Sequence, residues 1–423
     1  MLFFLAFVLM AQAASGIHQD PEAVIRPHLS PCPSHCSVIL TPSGTDDSAV
    51  IQAALDNAGS VTVCLSAAPG ETFHLSSPVV VRSGKRLSGY RNRVSLSLPP
   101  YQSPSNPGFS TAIIVPDGAS SASISCLDID GGYPETCIPS THPSEGHPSY
   151  NALVLVGSNV TNSEVRYNVL RNPAGWTALQ WTFGGSGNQI SSNAVLGAGF
   201  NWSSGGVRFE ADGISAWGDY IAIENNVVID ATDQMIVAWG YAPRISGNKV
   251  YSRDRYAYGA FAFNDIPSYS GIEVTGNQVF VEGGTVGVAF SFGSALWQCG
   301  HCFLSDFANA TVSQNKVVFS SGALGYAFVV NGAKNLVIDD TNTVDFSMPF
   351  STPGPGCGVA QKWVGGKFLY GAQMGSTSAC GSTLNLGCQN CLLQGGPWTA
   401  VNEQQGRQLI GSYPRTVPPP CGY

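Results

Sequence analysis

The chain has 423 residues, a formal net charge of −8, 43% hydrophobic residues and 11% charged residues. So much apolar content excludes a disordered chain. The acidic balance argues against nucleic acid as a partner and gives no global attraction for an acidic polysaccharide. Two or three ordinary domains would fill this length, unless one repeated core grows along an axis.

Residues 2–10 form a short, wholly apolar run, and Ala11-Gln12-Ala13 follows as a small-x-small cleavage site. Residues 1–13 are therefore expected to be a secretory signal peptide, since the run is too short to span a bilayer. No other apolar stretch approaches that length, so a secreted, extracellular chain away from membranes is expected. Three sequons begin at Asn159, Asn201 and Asn309 and are candidate N-glycan acceptors. Twelve cysteines, an even count, fit an oxidising compartment. Cys126 with Cys137 and Cys299 with Cys302 are the expected local bridges.

Thr45-Asp46-Asp47-Ser48 precedes the apolar run at 49–55. Thr45 or Asp46 is expected to cap an amphipathic helix ending near Gly59, with a strand after it at 61–65. This opening resembles the start of many pectin-lyase-like proteins.

From residue 165 onward one pattern returns: an aliphatic residue, two variable residues, Asn, one variable residue, then an aliphatic residue. Its copies are Val165…Asn168…Leu170, Ile190…Asn193…Val195, Ile223…Asn226…Val228, Ile245…Asn248…Val250, Val274…Asn277…Val279 and Val312…Asn315…Val317. The Asn-to-Asn intervals are 25, 33, 22, 29 and 38, a fixed coil of about 22 with loops of different length inserted. Between the copies lie β-branched and aromatic runs at 152–156, 214–217, 236–239, 260–263, 286–290 and 326–330. One coil cannot bury its inward aliphatics, but coils stacked about 4.8 Å apart can. The Asn column belongs at a turn, where Asn tolerates left-handed geometry and stacked amides bond along the column.

The fold expected is all-β, a right-handed parallel β-helix of the pectin-lyase type with an N-terminal cap helix. Its body is expected over 14–345. Residues 346–423, rich in Gly, Pro and Cys, are expected to form a disulfide-rich C-terminal cap, a small separate module being the alternative.

The stretch richest in acids is Glu210-Ala211-Asp212-Gly213-Ile214, followed one coil later by Asp230-Ala231-Thr232-Asp233-Gln234. It resembles the polygalacturonase family of glycoside hydrolases, in which an Asn-Thr-Asp-Gly-Ile-type segment is followed by Asp-Asp one coil on. Asp212 matches the first Asp and Asp233 the first of the pair. Gln234 stands where the family has its second Asp, and the family's Gly-His-Gly and Arg-Ile-Lys segments are absent. Apart from any resemblance, glycoside hydrolysis needs one carboxylic acid to protonate the leaving oxygen and a second carboxylate as base or nucleophile. Adjacent coils offer such a pair. Asp233 is expected to be the general acid and Asp212 the base or nucleophile, with Glu210 and Asp230 in reserve. The alternative is that these are turn residues.

Trp217 and Trp239 recur 22 residues apart, with Trp181 expected in the coil before, and are candidates for stacking on sugar rings or for inward packing. Arg244, Arg253 and Arg255 are candidates to grip a uronate carboxylate. Gln234 and Asp265 complete the expected substrate contacts on the groove rim. The Cys299-Gly300-His301-Cys302 segment looks like a redox motif, but no thioredoxin-like alternation surrounds it, so a structural disulfide is expected.

The leading expectation is an enzyme, a hydrolase of a polysaccharide or oligosaccharide bound in a groove along the helix, working as a monomer without cofactor or metal. A uronate lyase or epimerase on the same scaffold is the alternative, with calcium held by Asp212, Asp230 and Asp233. A non-catalytic glycan-binding or structural protein is the third reading.

Overall fold

The computed structural model describes residues 24, 32–100, 110–133, 152–199, 211–264, 270–293, 309–331, 336–339, 341–346, 369–372, 384–386 and 393–396. Their strands pair in parallel, coil upon coil, into three ladders of a right-handed parallel β-helix. One coil shows the plan. It runs through Gln189–Ser191 in the first ladder, Ala194–Leu196 in the second and Asp212–Trp217 in the third. The next coil repeats it through Ala222–Glu224, Val227–Ile229 and Gln234–Trp239. Farther along, Gln278–Gly293 and Lys316–Asn331 carry the second and third ladders as one long strand each.

The aliphatic positions of the repeat fill the interior. Ile190, Ile223, Ile245, Val274 and Val312 stack in the first ladder, and Val195, Val228, Val250, Val279 and Val317 in the second. All ten are fully buried. In the third ladder the stack changes from Ile214 and Ile236 to Phe261, Phe290 and Phe328, whose rings lie 4.9 and 5.0 Å apart. Each such side chain contributes about 1.5–3 kcal/mol by leaving water, and neighbouring coils supply the surface that buries it.

Asn168, Asn193, Asn226, Asn248, Asn277, Asn315 and Asn342 form one continuous column. Each Nδ2 from Asn168 to Asn315 donates to the next Oδ1 at 2.9–3.0 Å. Each Nδ2 also donates to a carbonyl of the coil before, as Asn226 does to Ile190. Each Oδ1 from Asn193 onward further accepts the backbone N–H of the preceding Asn. The left-handed residue is not the Asn, as the sequence suggested, but the one before it. Tyr167, Ser192, Asn225 and Gln314 have φ between 55° and 58°, and Gly247 and Gly276 serve the same place. The backward corner turns there, which leaves the Asn amide free to bridge coils.

Helix α1, Ser48–Asp56, closes the amino end. Its N-cap is Asp47, one residue later than expected, and it stops at Asp56 rather than near Gly59. Asp46 instead accepts from the Ser48 amide and hydroxyl and from the Ser76 hydroxyl. These donors, Ser76 foremost, hold its carboxyl well below the usual carboxylate range. Gln52 on α1 pairs with both the N–H and the carbonyl of Val80, so the helix covers a strand edge that would otherwise invite another chain.

Cys126 is bonded to Cys32, not to Cys137, and Cys36 is bonded to Cys64. Cys126 occupies a left-handed corner, against which the segment at 32–37 folds back. Its neighbour in space is therefore 94 residues away in sequence. Closing a loop of that size is worth about 4–5 kcal/mol in the chain-entropy account. Cys137, Cys299 and Cys302 lie outside the described residues, as do residues 1–13. Within 346–423 the short strands Leu369–Ala372, Leu384–Leu386 and Leu393–Gly396 add to the ladders in parallel register. No helix among the described residues is long and apolar enough to cross a membrane.

Candidate functional site

The third ladder carries the residues singled out by sequence, and a local break in its alternation aims them. In successive coils two consecutive residues join the buried interior: Ala178 and Leu179, Met235 and Ile236, Ala260 and Phe261, Ala289 and Phe290. Gly213 and Ile214 hold the same two positions, and both are buried. In a regular strand, residues three apart face opposite sides. Here the doubled inward residue puts Asp212 and Ser215 on one outer side, and Ser215 Oγ donates to Asp212 Oδ2 at 2.6 Å. Gly213 is required at the irregularity, because a Cβ there would meet the Met235 carbonyl at 2.4 Å.

Asp212 is buried, and its Oδ1 accepts the backbone N–H of Gln234 at 2.9 Å. Its oxygens thus face donors from its own strand and from the next coil. Asp233 is half-buried and precedes the neighbouring strand. Gln234 Nε2 reaches Asp233 Oδ1 at 3.4 Å. Gln234 therefore connects the two carboxylates, one through its main chain and one through its amide. Its own Oε1 is buried and accepts no hydrogen bond. It lies over Gly259, where a Cβ would come within 2.1 Å of it.

Asp230 does different work. It takes a left-handed φ of 58° at the corner between the second and third ladders. Its Oδ1 accepts the amides of Arg253, at 2.7 Å, and Asp254, at 3.2 Å, on the next coil. Burial pushes its carboxyl up, and the Arg255 charge opposes that shift. Asp212, Asp230 and Asp233 do not converge. Among the described residues no group of three His, Cys, Asp or Glu side chains is placed to hold a metal ion.

Trp217 and Trp239 stand in register on adjacent strands, with ring centroids 6.3 Å apart, and both remain partly exposed. Trp181 does not continue this row. It pairs with Ala216 and is buried in the core, one position short of Trp217. Phe183, which is 57% exposed, takes the place expected of Trp181 and meets Trp217 edge-on at 5.0 Å. Tyr220 and Tyr241, 59% and 49% exposed, form a second edge-on pair just past the tryptophans. The sequence reading missed these three rings. The 21-residue spacing of the tyrosines, close to one coil, was the available signal.

The arginines part company. Arg244 lies in the first ladder, in register with Ala222, and pairs with Glu224. It belongs to a different wall from Asp212, because it opens the Arg244–Ser246 strand of the Asn repeat. Arg253 is buried, bonded to Glu282 at 3.2 Å and set over the Tyr251 ring. Arg255 donates to the Gly199 carbonyl and faces Asp230. Both arginines brace the corner that Asp230 holds. Asn159 and Asn309 are exposed at left-handed corners, and Asn309 Nδ2 donates to Ser270 Oγ at 3.4 Å. Glu210, Asp265 and Asn201 lie outside the described residues.

The stacked coils, the three parallel ladders and the Asn column together make the architecture a right-handed parallel β-helix. No family model matches the sequence, and no curated protein matches it. Among solved structures the chain is similar to the polygalacturonase of Erwinia carotovora ssp. carotovora. That match has 14% identity and TM-score 0.44 over 87% of this chain and 94% of the other. It is also similar to DFA-IIIase from Arthrobacter chlorophenolicus A6 without its lid, at 13% identity and TM-score 0.43 over 84% and 100% of the two chains. A third is the tailspike protein of E. coli bacteriophage HK620 in complex with pentasaccharide, at 12% identity and TM-score 0.48. There 82% of this chain spans 64% of that one. The likeness is one of fold, and no residue role passes from those proteins to this chain.

Proposed function

We propose that the protein is a secreted carbohydrate-active enzyme, a glycoside hydrolase that cleaves a polysaccharide against the outer face of the third ladder. The observation that carries this reading is the pairing of two features on the same strands. Asp212 and Asp233 stand on adjacent coils at one end, and the partly exposed row of Phe183, Trp217 and Trp239 stands at the other. Five residue steps lead from Asp212 to Trp217, a span of roughly 16 Å, enough for a few sugar rings. Ring faces suit the apolar faces of sugars, and the carboxylates supply the acid and base that glycosidic cleavage needs.

In this mechanism Asp233, the more accessible acid, protonates the leaving oxygen. Asp212, whose oxygens are used as acceptors, serves as base or nucleophile. Gln234 holds the two acids in place, its main-chain N–H bonded to Asp212 and its side-chain amide to Asp233. Asp230, Arg253 and Arg255 hold the corner and do not touch the substrate.

The test is reducing-end release from a panel of uronic and neutral polysaccharides, with and without a chelator. Wild type is expected to release sugar, and Asp212→Asn and Asp233→Asn to lose at least about a hundredfold, some 2.7 kcal/mol of transition-state stabilisation. The chelator is expected to change nothing. Loss with chelator, together with product absorbing in the ultraviolet, would instead identify a lyase. No release from any substrate would leave a binding scaffold whose acids are turn residues.

A further inference from the structure

The first ladder, on a different wall from the acids, carries a second feature. Near the amino end its outer surface holds a cavity of about 210 Å³, framed by His35, Arg86, Ser123, Ser125, Glu164 and Arg166. The register explains the arrangement. Thr62, Arg86, Ser123 and Glu164 stack in one outward column, and Cys64, Ser88, Ser125 and Arg166 in another, with buried aliphatics between them. The segment bearing Pro33 and His35 forms one wall. It is tied down on both sides, by Cys32 to Cys126 and by Cys36 to Cys64. The cavity is thus fixed by covalent bonds as well as by the ladder.

Its polar groups are incompletely used. Ser123 Oγ donates to Glu164 Oε1 at 2.8 Å, and Arg166 Nη2 meets the same oxygen at 3.2 Å. That is the one ionic contact of Arg166 among the described residues. Its Nε is buried without a partner, and its side chain is 41% exposed beside the Tyr167 ring. Arg86 has no acidic partner among the described residues and is exposed. Two guanidinium groups against one carboxylate leave a local excess of one positive charge in a protein whose net charge is −8. Arg86 and Arg166 stand two coils apart, roughly 10 Å along the axis, with serine hydroxyls between them.

We infer that this cavity binds a small monocarboxylate ligand rich in hydroxyls, of the sugar-acid class. Arg166 offers its planar fork to the carboxylate, the serines meet hydroxyls, and Arg86 closes the far side. A single negative charge matches the local excess, whereas a dianion would be repelled by Glu164. The volume lies below the roughly 300–1,000 Å³ of drug-sized sites, which fits one or two sugar rings rather than a long chain.

Calorimetric titration of the intact protein with galacturonate, glucuronate, galactose and inorganic phosphate tests this. Saturable binding of a uronate, with galactose and phosphate at least tenfold weaker, is expected. Arg166→Gln and Arg86→Gln should each weaken the uronate at least tenfold. Arg86 is exposed, so its variant keeps the fold intact even if Arg166→Gln does not. Asp212→Asn should bind as wild type, which separates this site from the third-ladder face whatever activity is found there. The proposal is overturned by absence of saturable uronate binding, by equal binding of phosphate, by indifference to Arg86→Gln, or by loss of binding in Asp212→Asn.

Discussion

Two corners of the same coils use polar side chains in opposite ways. At the corner between the first and second ladders, one Asn recurs in coil after coil, and its amide is bonded above, below and to the main chain. At the corner between the second and third ladders the residues differ from coil to coil. There Asp230 locks the next turn, Asp233 stays half-buried, and the side-chain Oε1 of Gln234, just beyond, is buried without a hydrogen bond. A polar residue repeated in every coil and fully bonded holds the solenoid together. At the second corner the polar residues change from coil to coil, and no repeated column forms among the described residues.

Substitutions can break this contrast, and the largest effect is expected at the repeated corner. Asn226→Leu removes the donors to Asn248 and Ile190 and the acceptor for Asn193. With several buried groups orphaned at 1–3 kcal/mol each, a loss of about 4 kcal/mol is expected. A fall in the urea midpoint at unchanged slope would show it. On the third-ladder strand, if the proposed function holds, Asp212→Asn is expected to cost about a hundredfold in kcat, close to 2.7 kcal/mol, while the urea midpoint moves little. A variant at Asp212 that unfolded the chain as Asn226→Leu does would erase the distinction.

Smaller effects sharpen it. If the proposed function holds, Trp239→Ala is expected to raise KM about tenfold, near 1.4 kcal/mol, with kcat less affected, since the ring lies at the far end of the strand from the acids. The smallest effect is at Asp230. Burial raises its pKa in the folded protein, so the folded chain keeps this proton to higher pH than the unfolded chain does. Asp230 is therefore most compatible with the fold below about pH 4, the ordinary carboxylate value. Its contribution to stability falls as pH rises toward the raised value. Asp230→Asn retains an oxygen for the Arg253 and Asp254 amides and cannot ionise. It should flatten this part of the stability profile above pH 4, measured by urea midpoints across pH, without lowering activity.

The fold was legible because its period is written in the sequence. Six Asn copies and the aliphatics flanking them lie where the ladders put them. The corner geometry was not, since the left-handed residue one place earlier is variously Tyr, Ser, Asn, Gln or Gly. The bridge from Cys126 escaped notice because sequence neighbours and coil neighbours differ in a solenoid. Asp212, Asp233 and the paired tryptophans were visible from their one-coil spacing. Their outward aim was hidden, because the doubled inward residues at Gly213–Ile214 and Met235–Ile236 interrupt simple alternation. Arg244 misled for the converse reason. It is near Trp239 in sequence, yet the chain has already turned onto another wall.

The most direct test of the central claim is a crystal structure of the Asp212→Asn, Asp233→Asn double variant with an oligosaccharide of its best polysaccharide. The account predicts sugar rings on the third ladder's outer face, stacked on Trp217 and Trp239, with a glycosidic oxygen within hydrogen-bond reach of residue 233. Sugar bound to another wall, with the tryptophans and both substituted positions untouched, would contradict it.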